Sequence, residues 1–162
     1  RTNYELGLRF GYGHTTTVRE SLNFYSWLPR VGVFLTGPYN PILGRLRLSL
    51  VLEGLIGAIK NHNSGWDLGL TPLLKLSYPF TSRLLGYIEG GAGVIWENID
   101  SPTYAHTFNF SPQVGVGVDL RLLGDLALSL AYRYRHTSNA GLYAENPGVN
   151  SHLAQIGVAY YF

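Results

Sequence analysis

The chain has 162 residues, of which 12 are Lys or Arg and 10 are Asp or Glu, and its formal net charge of +2 is too small to indicate a nucleic-acid partner. There is no Cys, so disulfides, zinc–thiolate sites and thiol catalysis are excluded. The length favours a single domain over residues 1–162, and the low share of charged residues, 14% against about 25% in soluble proteins, favours a β-rich chain that hides its charges.

Alternation of apolar and polar residues begins close to the first residue. From Tyr4 to Tyr12 the even positions are all large and apolar, and the odd positions are polar, charged or Gly. This period of two is typical of a half-buried β-strand. It recurs along the chain and predicts eight strands, near residues 2–13, 23–36, 45–53, 66–76, 88–97, 108–119, 126–135 and 154–162.

The second of these segments is the least regular. Pro29 lies within it, and Phe24 and Phe34 occupy the face that should be polar. Because proline cannot donate a ladder hydrogen bond, we expect a bulge or a break at Pro29.

Two further segments bear on how the chain meets a membrane. The most apolar one, Leu46–Ile59, contains Arg47 and Glu53, so a transmembrane helix of about 18 apolar residues is not expected. The sequence opens with Arg1 and two polar residues and shows no signal peptide, so we expect it to be the mature form if the protein is exported.

The strand faces distinguish a soluble sandwich from a membrane barrel. A soluble protein would bury the apolar faces, whereas a membrane barrel turns them to lipid and pairs the charges inside. The apolar faces are large in every strand, aromatic residues recur near strand ends, and the chain stops on Phe162, which resembles the assembly signal of bacterial outer-membrane barrels. The fold predicted is all-β, an eight-stranded antiparallel transmembrane β-barrel.

The connections support this topology. Short ones near residues 37–43, 79–82 and 122–124 alternate with longer ones near 14–21, 61–65, 98–105 and 139–151. Outer-membrane barrels have short periplasmic turns and long outer loops, so both termini are expected to be periplasmic. Eight strands enclose little more than their own side chains, so we interpret the lumen charges as a structural ion-pair network and expect no wide pore.

Two polar residues extend the apolar face of the seventh strand. Continuing its even parity beyond Tyr134 gives His136 and Ser138, which we therefore expect on the outside of the barrel. Residues i and i+2 lie about 6.7 Å apart on one face of a strand, close enough for an imidazole to approach a serine hydroxyl. A nucleophile and its general base need this arrangement. The alternative is that both simply lie in the lipid headgroup zone.

The surrounding motif favours the catalytic interpretation. His136-Thr137-Ser138-Asn139, followed by Asn146-Pro147-Gly148-Val149-Asn150, resembles the lipid A 3-O-deacylases of the PagL family, which share His-x-Ser-Asn and a downstream Asn-x-Gly-x-Glu. The specific resemblance covers roughly residues 132–162. It implies a bacterial outer-membrane enzyme that removes the 3-linked acyl chain of lipid A by ester hydrolysis, with lipopolysaccharide and outer-membrane lipid as partners and no cofactor or metal.

The resemblance also implies residue roles. Ser138 attacks the ester carbonyl and His136 takes the hydroxyl proton. Asn146 and a backbone N–H near Gly141 hold the oxyanion. The other histidines are interpreted as loop or interfacial residues, namely His14, His62, His106 and His152.

The family's acid falls at Asn150, a departure from the pattern. An amide can orient an imidazole but cannot stabilise the imidazolium by charge. Three hypotheses stay open: Asn150 is a working orienting residue, Glu145 substitutes for it as the acid of that loop, or activity has been lost.

Other functions remain as alternatives. The chain could be a non-catalytic structural or partner-anchoring outer-membrane barrel with a decayed hydrolase site, a narrow channel, or a soluble lipocalin-like binder. The sequence leaves open which acyl chain is removed, what occupies the lumen, and the oligomeric state, a homodimer included.

Overall fold

The computed structural model describes residues 3–15, 21–99, 107–144 and 148–162. The strands in chain order are β1 Tyr4–Thr15, β2 Asn23–Phe34, β3 Arg47–Lys60, β4 Ser64–Pro79, β5 Leu84–Asn98, β6 Phe108–Leu123, β7 Leu126–Thr137 and β8 Val149–Tyr161. Each strand pairs antiparallel with the next, and β8 pairs with β1, so the sheet closes on itself. The eight-stranded barrel is confirmed. The described residues include no helix that is long and apolar enough to cross a membrane.

Because apolar and polar residues alternate, the barrel has an apolar outer surface and a charged inner surface. Large outward-facing residues such as Leu6, Trp27 and Leu74 keep about half of their area exposed, whereas the inward-facing Glu5 and Lys75 are fully buried. An exposed apolar belt of this extent is unstable in water and suits the hydrocarbon core of a bilayer. Closure of the sheet removes its free edges. Neighbouring strands therefore pair their backbone N–H and C=O groups with one another, as the water-free core of a bilayer requires.

The lumen holds the ion-pair network that the sequence predicts. Glu89 of β5 lies at its centre and contacts Arg9 at 3.0 Å, Arg30 at 2.6 Å and Arg133. Lys75 forms a neighbouring cluster, with Glu5 at 2.8 Å, Asp119 at 3.4 Å and the Tyr161 hydroxyl at 3.1 Å. These side chains fill the barrel, as expected for eight strands.

The structure contains no bulge at Pro29, whereas the β2–β3 ladder is broken there. Pro29 pairs with Leu8 within an uninterrupted β1–β2 register. It points outward, and its missing donor leaves only a gap in the β2–β3 ladder between Trp27 and Arg30, with the register unchanged. The register shift that the structure does contain lies in β6, between Arg121 and Leu123.

Two predicted connections also differ from the structure. The connection expected to be short, near residues 37–43, spans residues 35–46, where Asn40 accepts the N–H groups of Ile42 and Leu43 and Gly44 adopts a φ of 63°. The connection expected to be longer, near 61–65, is a tight turn over residues 61–63, closed by Asn61 Oδ1 accepting the Asn63 N–H at 2.6 Å. In both, the Asx turn decides the length.

Candidate active site

The register of β7 against β8 places His136 directly opposite Asn150. Both side chains are half-buried on the outward face, and His136 Nδ1 lies 2.6 Å from Asn150 Oδ1. The predicted loop over residues 139–151 is shorter than expected, because β8 begins at Val149. Asn150 is therefore held by a strand ladder, and its amide oxygen accepts a hydrogen bond from the Nδ1–H of the imidazole.

Ser138 follows β7 and is fixed to β6. It forms an isolated bridge with Phe110, in which the Phe110 N–H donates to the Ser138 carbonyl at 2.7 Å and the Ser138 N–H donates to the Phe110 carbonyl at 3.0 Å. Its side chain is half-buried between the buried Thr137 and Asn139. Ser138 therefore lies on the same outward face as His136. Within the described part of the chain, the ring has a hydrogen bond to Asn150 and none to Ser138 Oγ.

The backbone turns sharply after Ser138. Ala140 has a φ of 53° and Gly141 a φ of 80°, both in the left-handed region. Buried Asn139 stabilises this turn, because its Oδ1 accepts the Gly141 N–H at 2.9 Å and its carbonyl accepts the Leu142 N–H at 3.1 Å. In this conformation the Gly141 N–H, expected to help hold an oxyanion, is bonded to Asn139.

Gly148 is a site residue that the sequence reasoning missed. Its φ of 68° favours glycine, and a Cβ there would lie 3.3 Å from Cε1 and 3.8 Å from Nε2 of His136. Gly148 thus leaves room for the Cε1–Nε2 edge of the imidazole. The sequence signal for this role is that Gly148 occupies the glycine position of the Asn-x-Gly-x-Glu pattern, two residues before Asn150.

Two of the predicted site residues, Asn146 and the substitute acid Glu145, lie outside the described residues. The structure therefore brings together His136 and Asn150, places Ser138 and Gly141 beside them along the chain, and leaves Asn146 and Glu145 as predictions. Among residues 3–15, 21–99, 107–144 and 148–162, no group of three or more acidic or histidine side chains could hold a metal ion.

Aromatic side chains flank the site on the outward face. Phe110, the bridge partner of Ser138, packs edge-on against Phe108 at 5.4 Å, and Phe108 packs against Trp96 at 5.5 Å. On the other side, Tyr134 packs edge-on against His152 at 5.3 Å, directly opposite it in the β7–β8 ladder. Amphipathic aromatic rings are typical of the membrane–water interface. The candidate site therefore lies at one interface of the barrel, on its lipid-facing side.

A family model described as lipid A 3-O-deacylase (PagL) matches residues 6–159. The chain belongs to this family. It is accordingly an ester hydrolase of the bacterial outer membrane that acts on lipid A, which confirms the function predicted from the motif.

Solved structures show the same fold. The outer-membrane enzyme PagL has a TM-score of 0.69 and 18% identity, over 93% of this chain and 97% of that one. Neisserial surface protein A has a TM-score of 0.65 and 13% identity, over 98% of this chain and 97% of that one. Ail, the attachment invasion locus protein of Yersinia pestis, has a TM-score of 0.66 and 10% identity, over 100% of this chain and 99% of that one. At these identities the likeness is one of architecture. No curated protein sequence matches the chain.

Proposed function

We propose that Ser138, His136 and Asn150 carry out the hydrolysis of the 3-O-acyl ester of lipid A on the outer face of the barrel. The observation that supports this most strongly is the 2.6 Å contact between His136 Nδ1 and Asn150 Oδ1. An acceptor at Nδ1 keeps the proton on that nitrogen, which leaves Nε2 as the base. A nucleophilic serine needs this tautomer of its histidine.

The reaction then follows two steps. Ser138 Oγ attacks the ester carbonyl while His136 Nε2 takes the hydroxyl proton and returns it to the leaving sugar alkoxide. Water next attacks the acyl-serine, again losing its proton to Nε2, and the free 3-hydroxy fatty acid departs. Each step passes through a tetrahedral oxyanion that needs positioned donors in a poorly solvated place. We assign these donors to Asn146 and to the Gly141 N–H, which would exchange its bond with Asn139 Oδ1 for the substrate oxygen.

Lipid A reaches the site sideways, through the outer leaflet. A shallow groove runs below the site on the outward face of β6, β7 and β8, lined by Val116, Val118, Leu130, Tyr132 and Ala154. The small Ala154 sits between the tyrosines opposite it in the two neighbouring strands, Tyr132 and Tyr12, and keeps the groove open. An acyl chain lying there would keep its ester close to the interface, which suits a hydrolase whose substrate stays in the membrane.

Asn150 rather than Glu145 is the orienting residue in this proposal. Asn150 is on a strand, opposite His136, and already bonded to its Nδ1. A neutral amide keeps the tautomer but gives no charge stabilisation to the imidazolium. The proposed site is therefore a working but slow variant of a Ser–His–acid triad.

Mass spectrometry of lipid A after incubation with the refolded barrel tests the proposal. The wild type and Ser82→Ala, a matched change in the turn over residues 80–83, should remove one 3-hydroxyacyl chain, whereas Ser138→Ala and His136→Gln should remove none. Heat-modifiable gel mobility checks that each variant is folded. Full activity of folded Ser138→Ala would refute the assigned nucleophile, and an inactive wild type would instead favour a barrel with a decayed site.

A further inference from the structure

A second serine, histidine and asparagine meet on the hairpin that joins β1 to β2. His14 Nδ1 lies 3.0 Å from Asn23 Oδ1, and Ser21 Oγ lies 3.4 Å from His14 Nε2. The order of contacts is that of a nucleophile, a general base and an orienting amide. In the sequence, His14 gives no such signal, because the three residues come together only through the pairing of the two strands.

The local fold explains why these side chains share a face. His14 pairs directly with Asn23 at the last rungs of the β1–β2 ladder. Leu22 and Phe24 are fully buried, so the alternation turns Ser21 and Asn23 outward. Thr15 and Leu22 are tied directly, because the Leu22 N–H donates to Thr15 Oγ1 at 2.9 Å. This hydrogen bond holds Ser21, the neighbour of Leu22, close to His14, the neighbour of Thr15.

The amide of this cluster is further polarised. The Tyr12 hydroxyl also donates to Asn23 Oδ1, at 3.3 Å, so this oxygen accepts from both the phenol and the imidazole. An acceptor at Nδ1 places the proton there and leaves Nε2 to accept the Ser21 hydroxyl proton. This is the tautomer that a serine nucleophile requires.

This cluster lies at the same end of the barrel as His136. His14 pairs with His152 of β8, and His152 is two residues from Asn150. With strands about 4.8 Å apart and a rise of about 3.3 Å per residue, the Cα atoms of His14 and His136 are about 12 Å apart across the outer surface. The two clusters therefore face the same leaflet but do not share side chains.

We propose that Ser21, His14 and Asn23 form a second ester-hydrolysis site, and that its substrate is an ester-linked acyl chain of an outer-leaflet lipid. The apolar surface beside it suits such a chain, because Tyr12 and Tyr25 are both exposed and pack edge-on at 5.4 Å just below the cluster. Exposed Lys60 lies opposite Asn23 in the β2–β3 ladder, where its charge favours an anionic headgroup.

The chemistry uses only the ester and water. Ser21 Oγ bonds to the carbonyl carbon as its proton passes to His14 Nε2, and the ester C–O bond breaks as the leaving alkoxide takes that proton. Water then adds to the acyl-serine, gives a proton to Nε2, and the fatty acid leaves as the proton returns to Ser21 Oγ.

A serine-directed fluorophosphonate tests the nucleophile directly. It is applied to folded Ser138→Ala, so that any labelling is independent of the first site, and peptides are mapped by mass spectrometry. The peptide containing Ser21 should carry the phosphonate, and His14→Gln in that background should reduce its labelling at least tenfold. A soluble serine esterase serves as the reagent control. An unlabelled Ser21, or labelling that does not depend on His14, would overturn the proposal.

Release of fatty acid tests the activity and identifies the lipid. Folded Ser138→Ala is incubated in separate arms with lipid A and with phospholipid vesicles. Adding Ser21→Ala should lower the release at least tenfold in one arm, while the matched exposed serine change Ser64→Ala should not. No Ser21-dependent release in either arm would overturn this second site. The Ser138 assignment is judged separately, from wild type against Ser138→Ala on the 3-O-acyl chain.

Discussion

The hydrogen bond between His136 and Asn150 can be both weakened and strengthened without changing the barrel. Asn150→Ala removes the acceptor that lies 2.6 Å from Nδ1, and Asn150→Asp keeps the side-chain size and replaces the neutral oxygen by a carboxylate. Both changes occur on the half-buried outward face, away from the lumen network. The two variants therefore bracket the wild type in the strength of one interaction.

The expected effects follow from the strength of that hydrogen bond. A neutral hydrogen bond contributes about 0.5–1.5 kcal/mol net and one to a charged group about 1.5–3 kcal/mol. Each 1.4 kcal/mol or so corresponds to about tenfold in rate. If the bond orients the base in the transition state, Asn150→Ala should lower kcat about tenfold, and Asn150→Asp should raise it about tenfold because a carboxylate stabilises the imidazolium.

The assay is the initial rate of 3-hydroxy fatty acid release from lipid A, with heat-modifiable mobility confirming that each variant is folded. Glu145→Gln is included, because it should leave the rate unchanged if Asn150 is the orienting residue. A wild-type kcat in Asn150→Ala, or an Asn150→Asp variant slower than the wild type, would refute the orienting role of Asn150. A lower rate in Glu145→Gln alone would instead identify Glu145 as the acid.

Three further changes test other parts of the structure. Gly148→Ala should lower kcat, because its Cβ meets His136 Cε1 at 3.3 Å, and should also destabilise the barrel by about 1–2 kcal/mol, because alanine is strained at a φ of 68°; an unchanged kcat in the folded variant would contradict this. Glu89→Gln should destabilise the barrel by about 3–5 kcal/mol in urea unfolding from lipid vesicles, since it leaves arginines uncompensated in the lumen. Ala140→Gly should raise stability slightly, because a φ of 53° costs alanine about 1–2 kcal/mol and glycine loses about 0.5–1 kcal/mol in chain entropy; a lower midpoint would contradict it.

The alternation of the sequence was sufficient to predict the barrel and the outward position of the histidine. Period two assigns residues to faces along most of each strand, the end of β6 being an exception, so the lumen charges and the face of His136 could be predicted. The common face of His136 and Asn150 also followed from parity, whereas their direct opposition is set by the β7–β8 register. The face on which a residue lies can be predicted because it depends only on the alternation of neighbouring residues in the sequence.

The remaining features depend on turn geometry and register, which parity does not determine. The Asx turns at Asn40 and Asn61 set connection lengths that composition did not predict. The contact of Gly148 with the His136 ring depends on a left-handed φ at the start of β8. The meeting of His14 with Ser21 depends on the last rungs of the β1–β2 ladder, which no motif marks.

Trapping the acyl-enzyme is the most direct test of Ser138 as the nucleophile. The barrel is mixed with excess lipid A, quenched in acid on the timescale of one turnover, digested, and searched by mass spectrometry for a 3-hydroxyacyl adduct. The adduct should lie on the peptide containing Ser138, accumulate in the wild type and be absent in Ser138→Ala. Release of the 3-O-acyl chain with the adduct found only on another residue would contradict it.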